Sequence, residues 1–232
     1  MSMHNFSAVL SGNCLLLLST DLEECQRRDA LDAQLFAWLN ASSEFLLLDE
    51  NEQWHGTYMD RHVALGWVVS TRTEKHVVSK ETVGSTPLAI VWSELASLVP
   101  AQVAPALNSI RKRIQELPSS HPAWQVLSTE ALESLRPLLP AGGDPITRIA
   151  LEVRVVMPGP RVFSSSLFLE TSQHIEAHWL TQTLKRETIT HQVTRHFAGE
   201  LFSDVFAGVR TPLQERLKTL RATYVVPVCA AP

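Results

Sequence analysis

The sequence predicts an α+β protein, mainly antiparallel sheet with packed helices, and three observations carry that expectation. Ile146 to Met157 sets Ile149, Leu151, Val153 and Val155 in alternation with Arg148, Glu152 and Arg154, the period of a strand with one oily face, and Pro158-Gly-Pro160 turns it into a second run, Arg161 to Leu169. Val103, Leu107, Ile110, Ile114 and Leu117 advance by four, three, four and three, the stripe of an amphipathic helix. With 45% hydrophobic and 19% charged positions among 232 residues, the chain has enough apolar material for a sizeable core, which excludes disorder over most of its length.

Taken in order, Phe6 to Leu18 ends in four leucines and reads as a strand buried on both faces. Thr20-Asp-Leu-Glu23 is a capping box, so a helix is expected to start there, with Leu31, Leu35 and Trp38 on its inner stripe until Asn40 to Ser43 loosens the chain. Phe45 to Leu48 and Gln53 to Met59 flank the polar Asp49 to Glu52 and read as a hairpin. Val63 to Thr71 and His76 to Val83 read as a second strand pair around Arg72 to Lys75, and Pro87 to Trp92 as another short strand. The helix carrying the Val103 to Leu117 stripe is expected to start near Pro105 and to stop at Pro118 to Pro122. A second helix with Trp124, Leu127, Leu132 and Leu135 follows, to about Pro137.

Pro140 to Pro145 is the best boundary in the sequence, dividing an N-terminal α+β half, residues 1–139, from a C-terminal hairpin with helices, residues 146–232; the two are similar in size and can pack as one continuous domain. After the hairpin, Ser172 is expected to cap a long helix reaching His196, with Gly199 as its stop. Thr211-Pro-Leu-Gln214 caps a last helix to about Arg221, and Tyr224 to Val228 closes the chain as an edge strand because it contains Pro227. No internal repeat links the halves.

A formal charge of −4 gives no field of the kind that draws a protein onto phosphate backbones or anionic lipid. Cys14 to Leu18 is too short for a signal core or a membrane helix, and Cys14, Cys25 and Cys229 form neither a disulfide framework nor a zinc ribbon. A cytoplasmic, non-membrane protein is the expectation.

His174-Ile-Glu-Ala-His178 is the sharpest candidate for chemistry, since on a helix it stacks two imidazoles one turn apart as two ligands to one metal require. The plainer reading is a pair of solvated histidines. Arg148, Arg154 and Arg161 make a candidate RNA-contacting surface, against the plainer reading of a wet strand face. Trp54 and Trp67, with His55, Tyr58 and His62 between them, fit a ligand pocket but more simply a core. No nucleophile elbow and no glycine-rich phosphate cradle is present, so no catalytic residue and no cofactor is assigned. The leading expectation is a non-catalytic protein that binds another macromolecule, as an assembly subunit, an adaptor or a neutralising partner. A metal-dependent enzyme built on His174 and His178, and an RNA-contacting subunit, are the alternatives.

Overall fold

A computed structural model describes residues 5–76, 85–135 and 145–230. Helices cover both faces of one eight-stranded sheet. Its strands are β1 (Phe6–Ser11), β2 (Cys14–Ser19), β3 (Trp67–His76), β4 (Leu132–Leu135), β5 (Ile146–Met157), β6 (Arg161–Thr171), β7 (Ile189–Leu201) and β8 (Val225–Cys229). They run in the order β3-β7-β6-β5-β2-β1-β8, with β4 beside the first residues of β5, and every pair is antiparallel except β2 with β5. The sheet interleaves strands from before and after the Pro140 to Pro145 boundary, and that boundary lies outside the described residues apart from Pro145.

The leucine run is buried on both faces, as expected of a central strand: Leu15 and Leu17 join one core with Ile149, Leu151, Val153 and Val155, while Cys14, Leu16 and Leu18 join the other. Phe6 to Leu18 is nevertheless two strands. Ser11 pairs with Cys14 across a two-residue turn at Gly12, where φ is +59° and an added Cβ would lie 2.4 Å from the Trp38 ring, so only glycine fits.

The first core is covered by α3 (Pro87–Leu98), α4 (Ala104–Gln115) and α5 (Pro122–Ala131), and the second by α1 (Glu24–Glu44), α2 (Asn51–Ala64), α6 (Ser203–Leu217) and α7 (Leu220–Tyr224). The Val103 to Leu117 stripe is core-facing as predicted. Two aspartates of α1 are buried against the C-terminal helices, Asp29 on Arg210 and Asp32 on Arg221, each at 2.6 Å in a bidentate pair. The caps differ from expectation in position. Helix α1 starts three residues beyond the expected point, with Gln26 closing on the Glu23 N–H at 3.4 Å, and it runs through Asn40 to Ser43.

Five element types are corrected. Phe45 to Leu48, expected as a strand, is a turn joining α1 to α2. Gln53 to Met59 belongs to α2, because Trp54, Tyr58 and His62 recur every fourth residue and all point inward. Pro87 to Trp92 opens α3, with Thr86 Oγ1 accepting from the Ala89 N–H at 3.1 Å and proline at the first helical position. The long helix from Ser172 is absent: residues 172–188 form an irregular segment whose Trp179, Leu180 and Leu184 plug the first core, and the β-branched stretch from Ile189 is strand β7. Leu132 to Leu135 is strand β4 rather than the end of a helix. Two smaller corrections follow. The charges Arg72 to Lys75 lie within β3, not in a turn, and α6 begins eight residues before Thr211, carrying Pro212 in its interior. Residues 77–83, expected as a strand, lie outside the described residues. Among the described residues no helix is long and apolar enough to cross a membrane.

Candidate functional site

Beneath α2 lies a sealed polar network. Glu152 and Arg154 point from β5 toward the second core, where an alternating strand would present them to water had α2 not covered that face. Arg154 donates through Nη2 and Nε to Glu152 Oε1 at 2.7 and 3.1 Å, through Nη1 to His62 Nε2 at 2.7 Å, and through Nη2 to the Tyr58 hydroxyl at 2.7 Å. Its guanidinium sits 4.8 Å from the Phe197 ring centre. The Tyr58 hydroxyl lies 2.7 Å from Glu152 Oε2 and 2.6 Å from Gln34 Oε1, and Ser164 Oγ donates to Glu152.

Because His62 Nε2 accepts from a guanidinium, its proton resides on Nδ1, which donates to the Tyr58 carbonyl at 2.8 Å, and the ring is neutral. Burial, reinforced by the Arg154 charge, holds His62 well below its ordinary value. His55, one turn before Tyr58, is lowered to about 3 by burial and by Arg195. Burial raises the Tyr58 hydroxyl and the Cys14 thiol well above theirs. Glu152 and Arg154 are 3% and 1% exposed, so no substrate reaches this network. It is a tie between α1, α2 and the sheet.

On the opposite face Ser165, His196 and Glu94 come together, with Ser165 directly across from His196 and His196 Nε2 at 3.4 Å from Glu94. Among the described residues neither Ser165 Oγ nor either His196 nitrogen has a hydrogen-bond partner, and Ser165 is wholly buried. These are not the bonded and accessible partners that nucleophilic catalysis requires.

The structure separates the arginines proposed for RNA. Arg154 is buried. Arg148 is held by Asp49 and by Glu170 at 2.9 Å, and Arg161, exposed, faces the other side of the sheet. The open cleft beside Arg148, about 420 Å³ in volume, also contains Arg195, tied to Glu74 at 2.5 Å and to Asn51 at 2.6 Å. Carboxylates flank both cations, so the cleft has no excess positive charge for a phosphate. His174 and His178 fall in the irregular segment 172–188, both exposed, and the helical stacking that would have aimed them at one metal does not form. His178 pairs instead with Glu176 at 3.2 Å. Among the described residues no three histidine, cysteine or carboxylate groups are placed to hold a metal ion. An apolar cavity near His178, lined by Leu88, Ile114, Trp124 and Trp179, measures about 90 Å³, below the roughly 300 Å³ of ordinary cofactor sites.

What remains open is apolar. Six large hydrophobic side chains are exposed among the described residues, and five of them, Val63, Val68, Phe202, Val205 and Val209, belong to the meeting point of α2, β3, β7 and α6. Gly66 makes the junction. Its φ of +94° ends α2 and starts β3, its carbonyl accepts from the Phe202 N–H at 3.0 Å, and a Cβ there would lie 2.9 Å from Val205. Val209 follows Val205 by one helical turn. A hollow of about 340 Å³, lined by Val68, Phe163, Ala198 and Phe202 with Arg161 and Glu200 at its rim, adjoins this end. Sequence patterning missed it because Val68, Phe163 and Phe202 are brought together only by the pairing of β3, β6 and β7. The one local signal was Phe202-Ser-Asp-Val205, apolar side chains on either side of a helix start.

No protein-family model matches the chain, and no curated protein is similar to it in sequence. Among solved structures, a delta-endotoxin aligns over 84% of this chain and 86% of its own at 8% identity and a TM-score of 0.42. The Evf virulence factor aligns over 98% of this chain and 85% of its own, at 8% identity and a TM-score of 0.33. Neither likeness is close enough to bear on fold or activity.

Proposed function

We propose that this chain is a non-catalytic binding module that docks another protein on its apolar end. The observation that carries the reading is the gathering of Val63, Val68, Phe202 and Val205 around Gly66, each at least half exposed. Single apolar side chains on a surface need no explanation, whereas several on segments that meet at one end of the sheet, beside an open hollow, mark a candidate protein interface. The reading is supported by the state of the polar groups elsewhere: those with the most perturbed titration are closed off beneath α2. The three unpaired cysteines suit a reducing, cytoplasmic setting.

The test is a pair of substitutions, Phe202→Ser with Val205→Asp, compared with the unaltered chain in its native cell. The isolated variant should keep its circular dichroism and melting temperature and should lose the complex that the unaltered chain forms. Recovery of the same complex with the variant would overturn the reading.

A further inference from the structure

We propose that two copies of this chain pair along β3, antiparallel, with Thr73 of one copy opposite Thr73 of the other. This goes beyond the apolar end as a docking surface and uses a different stretch of the same strand. Strand β3 is an outer strand of the sheet: β7 pairs with one side of it, and no described strand pairs with the other. Its residues Ser70 to His76 are all exposed, which leaves a row of backbone N–H and C=O groups open to a further strand. The opposite outer strand, β8, has five residues and contains Pro227.

The pairing of β3 with β7 fixes which way each side chain faces. Arg72, Glu74 and His76 lie opposite Phe197, Arg195 and Val193, toward α2, whereas Thr71, Thr73 and Lys75 lie opposite Ala198, His196 and Thr194, toward α3. Residues opposed in an antiparallel pair must share a face, so a two-fold axis between copies must pass through a residue of this stretch. An axis at Arg72 opposes arginine to arginine, one at Glu74 opposes two carboxylates, and one at Lys75 opposes two ammonium groups, all unfavourable. An axis at Thr71 meets the irregularity between Val69 and Thr71 after a single step. Only Thr73 remains. There Arg72 faces Glu74 of the second copy and Glu74 faces its Arg72, while Thr71 meets Lys75 on the other face.

The charges are already disposed for this. Lys75 is held by Glu94 at 2.9 Å, and Glu74 is fixed by Arg195 at 2.5 Å and His76 at 2.7 Å. Arg72 is the charge of β3 that has no hydrogen bond or ion pair among the described residues. The paired stretch runs from Ser70 to His76 and stops at the irregularity, so it does not reach Phe202 or Val205.

Sedimentation velocity over a wide concentration range should show the 25.9 kDa chain approaching twice its mass. Arg72→Glu, which breaks no hydrogen bond or ion pair among the described residues, should remain monomeric, and so should Glu74→Arg. Mixed in equal amounts, these two variants should form a dimer, because each mismatch is then corrected by the other chain. Thr73→Cys, in a Cys25→Ser background, should cross-link to itself on oxidation, and Arg72→Cys in the same background should not. A chain that stays monomeric at all concentrations, or a mixture of folded charge variants that does not associate, would overturn the proposal. If Glu74→Arg proves unfolded by circular dichroism, the Thr73→Cys and Arg72→Cys pair decides the question alone. Phe202→Ser with Val205→Asp should leave the dimer intact, which separates this proposal from the docking of another protein.

Discussion

Arg154 ties three side chains together beneath α2, donating to Glu152, His62 and Tyr58. Removing its guanidinium leaves the carboxyl group of Glu152, 3% exposed, without its partner, and breaking a buried ion pair from one side typically costs about 3 to 5 kcal/mol. Arg154→Ala should therefore lower the urea midpoint sharply, while Arg154→Met combined with Glu152→Gln should recover part of the loss by removing both charges. An equal midpoint for Arg154→Ala and the unaltered chain would sink this account. In the sequence Arg154 reads as the wet side of an alternating strand. Period two correctly placed Ile149, Leu151, Val153 and Val155 on one face, but it carries no information about whether the other face is covered. The signal that was available is the opposite charge two residues away: Glu152 and Arg154 share a face and neutralise each other, which lets a helix close over them.

Helix α2 shows how element type can be misread when buried polar residues interrupt a stripe. Its inner face is Trp54, His55, Tyr58, Met59 and His62, and with the two histidines counted as solvent-facing only Trp54, Tyr58 and Met59 remain to mark the helical period. Residues 172–201 are misread in the opposite direction, since Ile175, Trp179 and Val193 fit helical spacing although 172–188 is irregular and the β-branched Ile189, Thr190 and Val193 open an extended strand. The tight turn at Gly12 and the Thr86-Pro87 helix start were legible as local signals but were overridden by the apolar runs around them. The histidines of α2 also set a pH dependence. Both are held below their ordinary value in the folded chain, so the unfolded chain takes up protons first as pH falls below about 6.5. Stability is complete above that value and is lost on acidification toward the folded value, about 3 for His55, by about 1.4 kcal/mol per pH unit for each ring. Urea midpoints should drop between about pH 6.5 and about pH 4.5, and His55→Gln should flatten the slope. A midpoint indifferent to pH over that interval would show that the rings are not held neutral.

At the scale of the whole molecule, the sequence conveyed an α+β chain with much antiparallel pairing but not the order of its strands, because pairing between distant segments leaves no local period. Strands from either side of the Pro140 to Pro145 boundary pair with each other at three places along the main path of the sheet: β3 with β7, β2 with β5, and β8 with β1. Cutting at a protease site introduced into that boundary should therefore yield two fragments that elute together and melt as one unit. Their separation without denaturant would mean that the shared sheet contributes little. The same interleaving places a demand on synthesis. Asn13 bonds to Ala150 at a separation of 137 residues, and β2 has its parallel neighbour only once β5 exists. At about 5 to 20 residues per second, the leucine-rich strand waits on the order of ten seconds with one flank bare after it leaves the ribosome. Its yield in a cell thus depends on whatever shields nascent chains during that interval, and a slower ribosome lengthens the exposure.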